Sequence, residues 1–434
     1  MKKSSAVVMS VLASACMVAL ASQSTPGPQQ LDWPDANPAP ESAEAVDETP
    51  QRWFVELTAA PAADGGNAAT RRAEQQAFRA AARNEGVRYI EHYAYENLFN
   101  GFSVTIARNQ LGTLMRLPGV KAVYPVETIA RPEPGPANPE MLTALAMTGA
   151  DIAQSELGLT GKGIRVAVMD TGIDIDHPDF GGNGKNGTTS FPTARIIAGY
   201  DFVGDAFNAD PASPAYNPVP KPDLNPDDCG GHGTHVAGII GANGAIKGVA
   251  PEVSLGAYRV FGCAGSTTAD VMVAAMERAH ADGMHVLNMS IGSTYQWPQY
   301  PTAQAASRLV NKGMVVVASA GNSGATGLYS TGAPSVGDKV ISVASFDNTG
   351  LVSRFFTVSP DGRAMAFNAA TGSPAAPSSG SVPLARTGTQ TSTADACTAL
   401  PAGSLAGKVA LIRRGTCGFY DKAINAQNAG AVGV

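Results

Sequence analysis

Three short segments carry side chains suited to acyl-transfer chemistry. Asp170 closes the apolar run Val166 to Met169 and is followed by Thr171 and Gly172. A carboxylate at such a strand end can sit partly buried and orient a neighbouring imidazole. His232 lies among glycines in Gly230-Gly231-His232-Gly233, ahead of Thr234-His235-Val236-Ala237-Gly238. The glycines let main chain and a bound peptide approach the ring, and the small residues beyond it suit a tightly packed helix. Asn322, in Ala320-Gly321-Asn322-Ser323-Gly324, follows the strand-like run Val315 to Ser319. Its amide can donate to the oxyanion of a tetrahedral intermediate. Singly, these residues read equally well as a capping Asp, a satisfied core histidine and an Asn turn. Their order along one α/β sheet favours chemistry. A metal site at His232 and His235 lacks the glutamate and the i, i+4 spacing of a His-Glu-x-x-His helix, and no acidic cluster adjoins it.

The elements that must position these residues alternate from about residue 151 onward. Ile164 to Met169 reads as a buried strand and Met284 to Met289, Met314 to Ser319 and Lys339 to Ala344 as further strands, with helices over Ala269 to Ala281 and Pro301 to Asn311. Near-continuous apolar strands alternating with amphipathic helices predict an α/β fold, a parallel sheet covered on both faces. Chemistry in such sheets gathers beyond the carboxyl ends of the strands, which here read Asp170-Thr171-Gly172, Ser290-Ile291-Gly292 and Ala320-Gly321-Asn322. Upstream, the order β-α-β-β-α-β over residues 51–131 predicts a ferredoxin-like α+β domain. It lies between Pro-rich linkers at 22–50 and 132–150; the first carries six acidic residues and no basic one. After about residue 358 the texture turns to Gly, Ser, Ala, Thr and Pro. A helix over Phe419 to Asn428 follows, and the chain stops in Ala431-Val432-Gly433-Val434, which reads as mid-strand.

The whole chain has 434 residues, 44% hydrophobic and 15% charged, with a net charge of −6. No basic stripe marks a nucleic-acid partner, and no apolar run after the N-terminus is long enough to span a membrane. Lys2 and Lys3 precede an uncharged apolar stretch, Ala6 to Ala21, ending in Ala19-Leu20-Ala21. Residues 1–21 therefore read as a signal peptide, and the protein as secreted. Cys16 would leave with that peptide, and a lipid-attachment role for it has only a weak signal in Ala13-Ser14-Ala15. Four cysteines remain: Cys229, Cys263, Cys397 and Cys417. They allow three pairings; Cys229–Cys263 and Cys397–Cys417 are expected because each pair brackets one region.

Residues 151–357 resemble the subtilisin-like serine proteases. The aspartate motif is matched by Val166-Ala167-Val168-Met169-Asp170-Thr171-Gly172-Ile173-Asp174 with His177-Pro178-Asp179, and the histidine motif by His232-Gly233-Thr234-His235-Val236-Ala237-Gly238. Gly248-Val249-Ala250-Pro251, Asn288-Met289-Ser290-Ile291-Gly292 and Ala320-Gly321-Asn322 follow in the family's order. The resemblance implies a secreted endopeptidase acting on proteins or peptides. Asp170 would orient His232, His232 would act as general base and then acid, and Asn322 would stabilise the oxyanion. Gly265 and Ser266 would form one substrate-pairing edge; Ser290, Ile291 and Gly292 would form the other and wall the specificity pocket. Residues 51–131 resemble the family's inhibitory propeptide, notably Tyr95-Glu96-Asn97-Leu98-Phe99-Asn100-Gly101-Phe102, which implies an intramolecular inhibitor. Residues 358–434 resemble the protease-associated domain inserted in many large subtilases. No cofactor is needed for the chemistry. Asp179 matches one ligand of a structural calcium site, although the loop Gly241 to Gly248 is shorter than the family's calcium loop.

One departure decides the mechanism. No Gly-Thr-Ser-x-Ala segment occurs in the 434 residues. Ser190 cannot stand in, because it precedes the histidine motif and lacks the small residues after it. The expectation is a fragment whose serine lies downstream and which forms no acyl-enzyme as written. Two other classes compete: a non-catalytic peptide-binding protein and a metal-dependent hydrolase using His232 and His235.

Overall fold

A computed structural model describes residues 51–132, 141–350, 353–367 and 374–434. The expected signal peptide (1–21) and first linker (22–50) lie outside them, as do residues 133–140 of the second linker. On the N-terminal side come β1 (Arg52–Leu57), α1 (Ala68–Asn84), β2 (Tyr89–Tyr95), β3 (Gly101–Ile106), α2 (Arg108–Leu114) and β4 (Val120–Pro125). The four strands form a sheet in the order β2-β3-β1-β4, and every pairing is antiparallel. Alternation along β1 sends its side chains to two faces. Val55 and Leu57 pack with Phe78 and Ala82 of α1 and Leu114 of α2. Phe54 joins a different cluster with Tyr95, Phe99 and Tyr300, and meets the Tyr300 ring edge-on at 6.2 Å. This small α+β domain therefore buries both faces of its sheet, one under its own helices and one against the rest of the chain.

Beyond β4 the chain forms a two-residue strand, β5 (Thr128–Ile129), then α3 (Met141–Thr148) and α4 (Ala150–Ser155). The stretch 132–150, expected as a linker, thus ends in helix. Its prolines stop at Pro139, and Met141 to Met147 is rich in Ala, Leu and Met, which favour helix once proline is gone. Next come β6 (Arg165–Asp170), β7 (Ile196–Asp201), α5 (His232–Gly241), β8 (Ser254–Arg259), β9 (Thr267–Thr268), α6 (Ala269–Ala281), β10 (Val286–Met289), α7 (Pro301–Asn311), β11 (Val315–Ser319) and β12 (Ile341–Val343). Six of them form one sheet, ordered β12-β11-β10-β6-β8-β7, with every pairing parallel. β7 lies within 181–228, a long stretch rich in Pro, Asn and Asp that reads from composition as a surface loop. Its own pattern is short and broken by Gly199, and pairing with β8 makes it a strand. Gly199, at φ 150°, lies so close to β8 that a Cβ there would sit 2.1 Å from the Ala257 carbonyl oxygen.

The two faces of β6 divide cleanly. Ala167 and Met169 share a core with Ala275 and Met276 of α6 and Ala305 and Leu309 of α7. Val166 and Val168 share another with Val236 and Ala237 of α5. The period of two puts Asp170 on the α5 side. After the sheet, β13 (Arg354–Val358) and β14 (Arg363–Phe367) pair antiparallel, and β15 (Leu384–Arg386) and β16 (Val409–Leu411) pair parallel. α8 (Phe419–Asn428) contributes Ala426 to a small core with Leu405, Ala410 and Ala429. A disulfide joins Cys397 to Cys417 beside it. No helix among the described residues is long and apolar enough to cross a membrane.

Candidate active site

Asp170 ends β6 fully buried, and its Oδ1 lies 2.7 Å from Nδ1 of His232, the first residue of α5. The same oxygen accepts the Thr171 N–H at 2.8 Å. Oδ2 is buried without a hydrogen-bond partner. Burial pushes the Asp170 carboxyl above its ordinary value, and the bonds from His232 and Thr171 oppose that shift. The contact engages Nδ1 and leaves Nε2 as the ring nitrogen that can take up a proton.

Backbone ties hold this pair in place. The Gly233 N–H donates to Thr171 Oγ1 at 2.8 Å, and the Asp174 N–H donates to Thr234 Oγ1 at 2.9 Å. The start of α5 thus hangs on the turn that follows β6. Gly233 is needed for that approach, since a Cβ there would lie 2.1 Å from the Gly172 carbonyl oxygen. Asp228 caps the helix start: Oδ1 accepts the N–H groups of Gly230 (2.7 Å) and Gly231 (2.9 Å), and Oδ2 accepts that of Thr234 (3.0 Å). A disulfide links Cys229, three residues before His232, to Cys263 beyond β8. Against it packs Arg259, 3% exposed, which pairs with Asp201 at 3.2 Å and Asp205 at 2.8 Å and donates to the Asp227 carbonyl at 3.1 Å. Sequence reasoning missed Asp228, Thr171, Thr234 and Arg259. Asp228 had a usable signal, an acidic residue just ahead of a helix start; Arg259 had none.

The other expected residues lie at neighbouring strand ends. Ser290, Ile291 and Gly292 follow β10, and Asn322 follows β11 through Gly321 at φ 98°, with its side chain exposed. β10 lies between β6 and β11, so Asp170, Ser290 and Asn322 leave the same end of three adjacent strands. Ser290 Oγ accepts from Asn288 Nδ2 at 3.1 Å, and Ser293 N–H donates to Ala333 O at 2.9 Å, which backs the segment with the 332–334 turn. On the opposite side, Ser266 gives its N–H to Asn208 Oδ1 and accepts the Ala209 N–H. The pairing edge is β9, one residue on. Thr268 and Thr267 pair antiparallel with Thr128 and Ile129 of β5, and the Ala269 N–H donates to Glu127 O at 3.0 Å. The tail of the α+β domain therefore lies along that edge as an added strand.

The docking of that domain is tied by polar groups as well. Glu277 of α6 accepts the N–H groups of Asn97 (3.1 Å) and Leu98 (2.8 Å), and burial raises its pKa. Asp270, fully buried, accepts from Ser103 Oγ and pairs with Arg52 at 3.5 Å, while Tyr95 donates to its backbone carbonyl at 2.7 Å. Tyr300 accepts the Glu127 N–H and donates to the Pro125 carbonyl, both at 3.0 Å.

Asp179, the expected calcium ligand, has its Oδ1 2.8 Å from the Ala245 N–H and its Oδ2 3.3 Å from the Ile246 N–H. Each oxygen thus accepts one amide donor, which uses part of the carboxylate's acceptor capacity. One cluster of metal-ligating atom types occurs among the described residues: Asp205, Cys229 and Cys263, within 4.8 Å of one another. Its two sulfurs are bonded to each other, so the Asp205 carboxylate is the anionic donor it retains.

The fold is thus a parallel α/β sheet with a carboxylate–imidazole pair beside it and a small α+β domain docked on it, and comparison with known proteins assigns both parts. The profile of the subtilase family matches residues 161–410, and that of peptidase inhibitor I9 matches residues 42–129. The chain belongs to the subtilase family, with an inhibitor domain upstream of its catalytic domain. It is 36% identical over 280 residues to the minor extracellular protease Vpr of Bacillus subtilis (strain 168), covering 62% of this chain and 32% of that protein. To subtilisin DY of Bacillus licheniformis it is 34% identical over 224 residues, covering 50% of this chain and 68% of the relative. To subtilisin Savinase of Lederbergia lenta it is 39% identical over 171 residues, covering 39% of this chain and 51% of the relative. The chain thus spans about a third to two thirds of the length of these relatives.

Proposed function

We propose that this chain carries the acid–base half of a secreted serine endopeptidase, together with its own inhibitor. The observation that supports the reading most strongly is the 2.7 Å contact between buried Asp170 and His232 Nδ1. In this reading Asp170 fixes the tautomer, His232 Nε2 removes the proton of an attacking hydroxyl and returns it to the leaving amine, and the Asn322 amide donates to the oxyanion. Ser290, Ile291 and Gly292 form one wall of the substrate cleft, and the strand through Gly265 and Ser266 to β9 forms the other. Peptides bind by adding a strand, which favours main-chain recognition. Similarity to extracellular relatives and the sequence of residues 1–21 support export.

The order of elements over residues 51–131 and the sheet order β2-β3-β1-β4 support a ferredoxin-like propeptide. The pairing of β15 with β16 and the core around α8 support a separate module over 358–434, read as a protease-associated domain that contacts substrate or partner. Each Asp179 oxygen accepts one amide donor and keeps a further acceptor position, and no step of the chemistry is routed through calcium there.

No Gly-Thr-Ser-x-Ala segment occurs in these 434 residues, so in this reading none of their serines is the nucleophile. Two experiments follow. The 434-residue chain should take up no fluorophosphonate probe, and labelling at any of its serines would overturn the assignment of roles. In the full product of the gene, His232→Ala should accumulate as unprocessed precursor, and normal self-maturation of that variant would sink the acid–base role of His232.

A further inference from the structure

The tail that lies along β9 does more than pair main chain, because two of its side chains enter separate subsites. Ile129 is 3% exposed and belongs to the apolar cluster that contains Ala269, Val271 and Met272 of α6. Arg131 is two residues further on, so in an extended strand its side chain leaves on the same side. Its Nη1 donates to the Cys263 carbonyl oxygen at 3.0 Å. Cys263 is bonded to Cys229, which leads into the turn before His232. The space taken by the guanidinium exists because residue 230 is glycine. A Cβ at Gly230 would stand 3.2 Å from Arg131 Nη1 and 3.0 Å from the Thr171 side chain. The guanidinium thus meets the Cys263 carbonyl, beside a disulfide whose other half, Cys229, and the bare main chain of Gly230 lie within three residues of the histidine.

We infer that the cleft selects extended peptides in which an aliphatic residue is followed, two positions later, by an arginine, and that the Cys229–Cys263 bridge with Gly230 forms the arginine subsite. The inference rests on the reading of β9 as a substrate edge. A guanidinium suits this site because its planar fork carries donors at the end of a long stem, and a carbonyl fixed by a cross-link loses little entropy in meeting it.

Hydrogen–deuterium exchange on the full 434-residue chain, with Arg131→Ala and Ile129→Ala variants, tests this. In the parent, the amides of residues 126–131 and 265–269 should be protected. Each variant should exchange about tenfold faster there, the size expected for loss of one charge-assisted hydrogen bond or one buried aliphatic side chain, with α1 unchanged. Unchanged exchange in Arg131→Ala, with protection in the parent intact, overturns the arginine subsite and spares the substrate-edge reading. Unchanged exchange in Ile129→Ala removes the aliphatic half of the motif. Absence of protection in the parent overturns the edge reading and the subsite together. With both substitutions combined, a labelled Thr-Ile-Ala-Arg-Pro peptide added in trans should bind about tenfold tighter than Thr-Ile-Ala-Ala-Pro. Equal affinities overturn the preference.

Discussion

At the residue scale, the site depends on contacts too close to tolerate even a methyl group. Gly233→Ala would press its new carbon against the Gly172 carbonyl and push α5 away from the turn after β6. Stability should fall by about 3 kcal/mol, measured by urea denaturation. A loss under 1 kcal/mol would mean that the two segments are not held this closely. Asp170 makes a prediction in pH. In the unfolded chain its carboxyl ionises near 3.8, and in the folded chain burial delays ionisation to higher pH. Its effect on stability is absent below the unfolded value. It becomes a penalty as pH rises through the folded value, and stays above it. Asp170→Asn lacks that penalty, so the stability of the variant relative to the parent should increase as pH rises from about 3 through the range in which the folded carboxyl ionises. A constant or shrinking difference in denaturation midpoints over that range would contradict the buried, raised carboxyl. Asp170, His232 and Asn322 were legible from sequence because each is embedded in a contiguous run of distinctive residues. Arg259 and Thr267 were not, because each acquires its role from partners distant along the chain; Asp228 was missed although its cap on α5 is local.

At the element scale, the helices α6, α7 and α8 and the strands β10 and β11 follow the periodicity of their residues closely. The misreadings have physical causes. β7 is a strand through pairing with β8, and α3 was hidden by the prolines before it. β5 and β9 are two-residue strands that exist only as each other's partners. Tyr300, before α7, anchors that partnership by bonding to both Pro125 and Glu127. Tyr300→Phe would leave the Glu127 amide without its acceptor, at a cost of about 1–2 kcal/mol. The expected signature is faster amide exchange at Glu127 and in β5, with β1 and β3 unaffected. If Glu127 exchanges as in the parent, the hydroxyl is not what positions the tail.

At the scale of the whole molecule, the catalytic sheet is sandwiched between α5 on one face and α6 and α7 on the other, and the inhibitor domain covers the second pair. The Cys229–Cys263 bridge closes a loop with a sequence separation of 34 that includes α5 and β8. Replacing both cysteines by serine should lower stability by about 4 kcal/mol if chain entropy dominates. A change near zero in urea denaturation would assign the bridge a purely local role at the histidine turn.

The division of β6 between two cores has a consequence for how such a chain can change over time. Substitution within Arg165–Asp170 is graded in its effect, since each side chain faces one core only. A change in length is not. Inserting or deleting one residue would turn Asp170 away from α5 toward α6 and α7, and would carry valines and methionine into the wrong layers at the same step. Length variation should therefore accumulate in the turns and loops around this strand and spare the strand itself, whatever residues it carries.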